Sequence, residues 1–125
     1  MEHPKISILL PIRNEAPWLE LRLVSILNQD FHDFELLIGD NASDDGSPDI
    51  YSTHARNDSR IKIFRHKTDI GAANNFKFLF DKAAGEYLVV AGGHDLWSGS
   101  YLTLLKDKLD SDNEIVLSFG KTVYI

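Results

Sequence analysis

A chain of 125 residues, 43% of them apolar, is the size of one compact domain with a real core and leaves no room for a second. Thirteen basic against nineteen acidic residues give a net charge of −6, with no run of lysine or arginine long enough to follow a phosphate backbone, which argues against a dedicated nucleic-acid binder. The absence of cysteine excludes a disulfide framework, a thiolate zinc site and a cysteine nucleophile, and no apolar segment approaches the roughly 18 residues that make a membrane span. The amino terminus enters a strand without a signal-peptide pattern, so the expected location is cytoplasmic, with peripheral attachment to the inner membrane and homo-oligomer formation left open.

Lys5 to Ile12 reads as a first buried parallel strand ended by Pro11, which removes a donor. Arg13, Asn14 and Glu15 form a polar loop, Pro17 suits the first turn of a helix, and Leu19, Leu23, Ile26 and Leu27 carry that helix through about Asn28. A second strand, Glu35 to Gly39, runs into Asp40-Asn41-Ala42-Ser43-Asp44-Asp45-Gly46-Ser47, a polar turn sequence in which Ser47 before Pro48 predicts an N-cap for a helix to Arg56. Ile61 to Phe64 is a short third strand, followed by a polar loop from His66 to Gly71. From Ala72 the pattern is helical, with Phe76, Leu79, Phe80 and Ala83 predicted to face the sheet and Gly85 to follow the helix end at the C′ position. Of Phe76, Phe78 and Phe80, two are expected in the core and one exposed.

Tyr87 to Ala91 is an apolar run too short for a helix, rich in β-branched and aromatic residues, and predicts a buried strand. Gly92 and Gly93 carry no side chain, His94 and Asp95 are a pair capable of binding a metal, and Trp97, expected to pack, closes the turn. Tyr101, Leu104, Leu105 and Leu109 give a fourth helix; Ile115 to Phe119 reads as a fifth strand, and Val123 to Ile125 as the start of another. This alternation predicts an α/β fold, a mainly parallel sheet covered on both faces through right-handed crossovers, with the polar loops after strands one to four at one edge. Ligands of such sheets bind beyond the carboxyl ends of the strands.

Neither GxGxxG nor GxxxxGK[ST] occurs, so a bound nucleotide would have to be recognised by carboxylates and amides, with a metal offsetting its diphosphate charge. Several segments occur in the order and spacing of glycosyltransferase family 2. Ile6 to Glu15 resembles its opening strand and loop, Ser25-Ile26-Leu27-Asn28-Gln29-Asp30 its first helix, and Asp40 to Ser47 its base-recognition loop. Gly71-Ala72-Ala73-Asn74-Asn75-Phe76, Gly85-Glu86-Tyr87 and His94-Asp95-Leu96-Trp97 complete the set, the last standing where the family carries its acidic metal motif. The resemblance implies the Rossmann-like GT-A nucleotide-diphospho-sugar transferase fold, with residues 1–125 as a donor-binding domain truncated before the acceptor-binding half.

The resemblance further implies an enzyme of polysaccharide biosynthesis that transfers sugar, with inversion, from a nucleoside diphosphate sugar to a saccharide or lipid-linked acceptor. Pro11, Arg13 and Glu15 would line the nucleotide pocket, Asp40 and Asn41 would meet base and ribose, and Asn74 and Asn75 would flank the diphosphate. His94 and Asp95 would hold Mn²⁺ or Mg²⁺. The family's acidic residues are replaced at Gly92 and His94, leaving Asp95 as the single carboxylate of the turn, and no residue stands out as a catalytic base. His3, His32, His54 and His66 receive no role. A sugar-nucleotide binding module without catalysis shares every donor-site residue and is the competing reading. A phosphoacceptor signalling domain fits the size, but Arg13-Asn14-Glu15 lacks the acidic pair that it needs.

Overall fold

The computed structural model describes residues 3–92, 94–118 and 120. Among them the elements run β1 (Ile6–Ile12), α1 (Ala16–Leu27), β2 (Phe34–Asp40), α2 (Ser47–Asn57), β3 (Ile61–Arg65), α3 (Ala72–Lys82), β4 (Tyr87–Val90) and α4 (Tyr101–Asp110). The four strands form one parallel sheet in the order β3-β2-β1-β4. The order reverses between β1 and β4, the kind of switch point at whose carboxyl edge ligands of such sheets bind.

The central strands β1 and β2 are apolar on both faces because both faces are covered. Ile6, Ile8, Leu10 and Ile12 pack with Leu36 and Ile38 under Leu19, Leu23 and Ile26 of α1, Tyr51 of α2 and Leu102 of α4. Leu9 and Leu37 point the other way and meet Leu79 of α3, with Phe64 and Phe78 beside them. Pro11 lies beyond the last register pair with β4, Leu9 opposite Val90, where the ladder no longer needs its N–H.

Two glycines decide how closely the layers approach. A Cβ on Gly39 would stand 2.5 Å from Asn75 Oδ1 and 2.9 Å from the Leu79 side chain, so its absence lets α3 settle on β2. Gly85 follows α3, as expected, but the helix is capped at Ala83. Gly85 instead serves a close approach to β1, with its N–H donating to Ser7 Oγ at 2.7 Å.

The structure corrects the sequence reading at three places. Ile115 to Ser118 form no strand; Val116 and Leu117 are 91% and 76% exposed, because apolar periodicity describes side chains and cannot supply a ladder partner. Phe119 and Val123 to Ile125 lie outside the described residues. On α3 the buried residues are Asn75 and Leu79, while both Phe76 and Phe80 are exposed and only Phe78 packs inward. The helix is rotated by its amide, since Asn75 Nδ2 donates to the Gly39 carbonyl at 2.9 Å. Ser47 is the first residue of α2 and caps nothing there, its hydroxyl accepting from the Glu15 N–H at 3.0 Å instead.

Glu35 is a buried charge that ties four segments. Its carboxylate accepts from Ser7 Oγ at 2.6 Å, Lys62 Nζ at 2.8 Å and the Ala84 N–H at 2.8 Å. Burial alone would raise its pKa, but Lys62, the Ser7 hydroxyl and the Ala84 N–H outweigh that and hold it below the ordinary glutamate value. A depressed folded pKa contributes stability that is complete above the unfolded value of about 4.3 and is lost as pH falls through the folded one. Glu35→Gln is therefore expected to cost about 2 kcal/mol at pH 7, with the gap to wild type closing below about pH 4. Urea titrations at several pH values check this, and a gap that does not change with pH would contradict it.

Candidate functional site

The loops after β1 and β2 are built as one unit. The Asn14 N–H donates to Ser43 Oγ at 2.9 Å, and the Asp44 N–H returns to Asn14 Oδ1 at 2.9 Å. Ala16 N–H donates to Asp45 Oδ2 at 3.1 Å, so the second loop satisfies the open amino end of α1, which lacks a side-chain cap of its own. Asn14 and Ala42 both take positive φ, 53° and 58°. For Ala42 this backbone is strained by about 1 kcal/mol and persists because its neighbours hold it. Arg13 Nη1 donates to the Asn41 carbonyl at 2.7 Å and the Ala42 carbonyl at 3.2 Å.

Asp40, expected to face a ligand, is 0% exposed. One carboxylate oxygen accepts from the Ser43 N–H at 2.9 Å; the other accepts from Tyr51 Oη at 2.8 Å and lies 3.7 Å from Arg65 Nε. Burial and the Asp40 carboxylate together push the Tyr51 hydroxyl well above its usual range. Asp40 thus anchors the loop, and its neighbour Asn41, buried as well, ties that loop to the next. The Asn41 amide donates to Asp69 Oδ1 at 2.7 Å and accepts from the Ile70 N–H at 2.8 Å, which joins the third loop to the other two. Asp69 also accepts from the Gly71 N–H at 2.8 Å and sits 3.7 Å from Arg13 Nε. The Gly71 N–H, the Asn41 amide and Arg13 hold its carboxyl below the usual range.

The two asparagines of α3 separate. Asn75 is buried, with its amide on Gly39 and its Oδ1 2.9 Å from His66 Nε2. Asn74 is exposed at the helix start, where no side chain caps the first-turn N–H groups. A cleft of about 380 Å³ is lined by Ala42, Ser43, Arg65, His66 and Lys67. Arg65, His66 and Lys67 were not singled out in the sequence. The available signal was their position, at and just past the end of the third strand.

At the end of β4, His94 and Asp95 have different surroundings. His94 Nε2 lies 2.9 Å from Glu15 Oε2, and its ring stacks on Trp18 with centroids 4.0 Å apart. Asp95 is exposed, and Trp97 is half-buried, stacked on Tyr101. Beneath the turn lies a residue that sequence reasoning passed over. Arg22 of α1 is 2% exposed and donates from Nη2 to the Ala91 carbonyl at 2.7 Å, while its Nε has no hydrogen-bond partner among the described residues. Burial lowers its pKa, and the nearby charges of Glu15 and Asp95 oppose that by favouring the guanidinium. An arginine at a helical position one residue before Leu23 breaks the apolar face, and that interruption was the signal.

The sequence profile of Glycosyl transferase family 2 matches residues 7–124. The chain belongs to this family. Among curated relatives of this family 2 domain, GalNAc(5)-diNAcBac-PP-undecaprenol beta-1,3-glucosyltransferase of Campylobacter jejuni is 33% identical over 105 residues, covering 82% of this chain and 34% of that protein. The abequosyltransferase RfbV of Salmonella typhimurium is 34% identical over 115 residues, covering 90% and 34%. The chain spans about a third of the length of these relatives. The mannosyltransferase PcManGT of Pyrobaculum calidifontis, in complex with GDP-Man and Mn²⁺, superposes with a TM-score of 0.78 at 25% identity over 87% of this chain and 33% of that one. Staphylococcus aureus TarS 1-349 superposes at 0.79 and 24% identity over 86% and 32%, a likeness of fold. The GT-A architecture expected for the family 2 domain is the one observed.

The donor set of this family 2 domain does not fit a preassembled divalent-metal centre. Among the described residues no three His, Cys, Asp or Glu side chains converge on one point. Octahedral Mg²⁺ or Mn²⁺ bound through oxygen ligands would find the Asp95 carboxylate, with His94 held by Glu15 and a buried guanidinium below.

Proposed function

We propose that this domain binds the nucleoside diphosphate of a sugar donor in the crevice beyond β1, β2 and β3 and presents the sugar for transfer to an acceptor hydroxyl. The observation that carries the reading is the joining of three strand-end loops through Arg13 and Asn41, in a chain whose family is defined by such transfer. Base and ribose would lie across Pro11, Asn41 and the cleft under Arg65 and His66, with Asp40 holding the loop from behind. The diphosphate would meet Arg13 and the uncapped N–H groups at the start of α3 beside Asn74, where the helix dipole favours an anion.

In the transfer the acceptor oxygen attacks the anomeric carbon from the face opposite the diphosphate. The bond from that carbon to the phosphate oxygen breaks, the nucleoside diphosphate leaves, and configuration inverts; the hydroxyl proton goes to a base outside the residues assigned here. A saccharide on a lipid carrier is the acceptor class that we favour, given the undecaprenol-linked substrate named for the Campylobacter relative. Among the described residues no helix is long and apolar enough to cross a membrane.

Calorimetric titration of UDP, GDP and dTDP sugars tests the reading. Binding is expected for at least one base, and Arg13→Ala is expected to weaken it about tenfold, equivalent to ~1.4 kcal/mol. Absence of binding for all three overturns the assignment, and binding without turnover on an added acceptor identifies a binding module instead.

A further inference from the structure

The cation that the family leads one to expect is poorly provided for at the end of β4. Three observations bear on what replaces it. The turn Gly92 to Asp95 retains one carboxylate. His94, the second potential ligand, has Nε2 on Glu15 at 2.9 Å and its ring face against Trp18. Arg22, locked by the Ala91 carbonyl and buried, holds a permanent positive charge directly behind this turn, within electrostatic reach of Glu15 and Asp95. A fixed guanidinium repels a divalent cation placed beside it and already compensates the carboxylates that would attract one. The Nε, without a partner among the described residues, is the cost of keeping that charge out of water, and such a cost is retained where the charge is used.

We propose that this domain binds its nucleoside diphosphate without a divalent cation, and that Arg22 acts as a positioning residue supplying the positive charge a metal would otherwise bring to the β4 turn. This rests on the donor-site reading above. Arg22 does not touch the ligand; it fixes the Ala91 carbonyl and the direction in which the turn leaves β4, and it biases the field at the diphosphate.

Two measurements on the whole 125-residue chain decide the matter. In the first, Mn²⁺ alone is titrated against the protein and free Mn²⁺ followed by electron paramagnetic resonance. No binding below about 1 mM is expected, and one tightly bound ion per chain overturns the proposal whatever the nucleotide result. In the second, UDP and GDP are titrated by calorimetry in EDTA and again in Mn²⁺. Affinities within threefold of each other are expected. Binding that appears only with Mn²⁺ overturns this inference and leaves the donor site standing, whereas no binding under either condition overturns both.

Arg22→Met, which keeps the apolar stem and removes the charge, separates an electrostatic role from a structural one. Nucleotide affinity in EDTA is expected to fall at least fivefold, and Mn²⁺ to recover most of the loss because Glu15 and Asp95 are then uncompensated. Equal weakening with and without Mn²⁺ marks Arg22 as a packing residue and overturns its part in the proposal. The wild-type titrations remain decisive if this variant does not fold.

Discussion

Replacing Asp40 with alanine is expected to lower the unfolding free energy by about 4 kcal/mol and to abolish nucleotide binding in the fraction that stays folded. The carboxylate is wholly inaccessible and receives the Ser43 N–H on one oxygen and the Tyr51 hydroxyl on the other. Hydrogen bonds to a buried charge contribute about 1.5–3 kcal/mol each, and truncation leaves both donors without a partner. The ion pair with Arg65, at 3.7 Å and with Arg65 half in water, adds little. Against a total stability of about 5–15 kcal/mol, a loss of this size is a large fraction of what a small domain has.

The same residue couples stability to the site. Ser43 accepts from the Asn14 N–H, and Arg13 and Arg65 donate to carbonyls of the loop that Asp40 anchors, so freeing the loop disperses the crevice. Asp40→Asn keeps an acceptor for Ser43 and should cost about 1–2 kcal/mol, while Tyr51→Phe should cost about 1 kcal/mol. The two sites touch, so the Asp40→Ala, Tyr51→Phe double variant should be less destabilised than the sum of its parts. Urea denaturation with unchanged slope measures all of these. A loss under 1 kcal/mol for Asp40→Ala would show that the loop is held by something else.

Gly85→Ala is expected to destabilise by about 3 kcal/mol, a large effect for a single added methyl group. A Cβ there would lie 2.6 Å from the Ser7 backbone nitrogen and 2.8 Å from the Ile6 carbonyl carbon. Main-chain atoms of a central strand cannot step aside, so β4 would have to move off β1. It would take with it the Tyr87 N–H bond to the Lys5 carbonyl and the Ala91 N–H bond to the Leu9 carbonyl. The Gly85 N–H bond to Ser7 Oγ and the neighbouring Ala84 N–H bond to Glu35 would loosen too. Gly92→Ala is the control, because nothing lies within 4 Å of its added carbon and its φ is ordinary. It should change stability by no more than about 0.5 kcal/mol. Thermal melts of the two variants side by side give the comparison, and equal melting temperatures would refute the steric argument.

Much of the architecture could be read from residue order. Short apolar runs at Ile8 to Ile12 and Leu36 to Gly39, each followed by turn-forming residues and a helical period, leave few alternatives to a parallel α/β sheet with its loops at one edge. Local patterns of this kind reflect the neighbours of each residue along the chain, which is information that the sequence contains. The resemblance to family 2 rested on the same local segments, and the profile match over residues 7–124 agrees with it.

What residue types alone could not decide was which polar side chains are spent inside the protein. Asp40 and Asn41 are both spent inside, one sealed against Tyr51 and the other bound to Asp69 of the next loop. Asn74 and Asn75 divide, the first exposed and the second buried, and the partner of Arg22 is known only once Ala91, far along the chain, is brought to its guanidinium. A carboxylate or an amide offers the same donors and acceptors wherever it stands in the sequence. Whether they remain for a ligand depends on long-range partners that only the closed sheet and its packed helices bring within 3 Å. So composition and periodicity determined the sheet, the helices and the edge at which the loops gather, while burial and hydrogen-bond satisfaction, properties of the folded chain, decided which of those loop residues can meet a substrate.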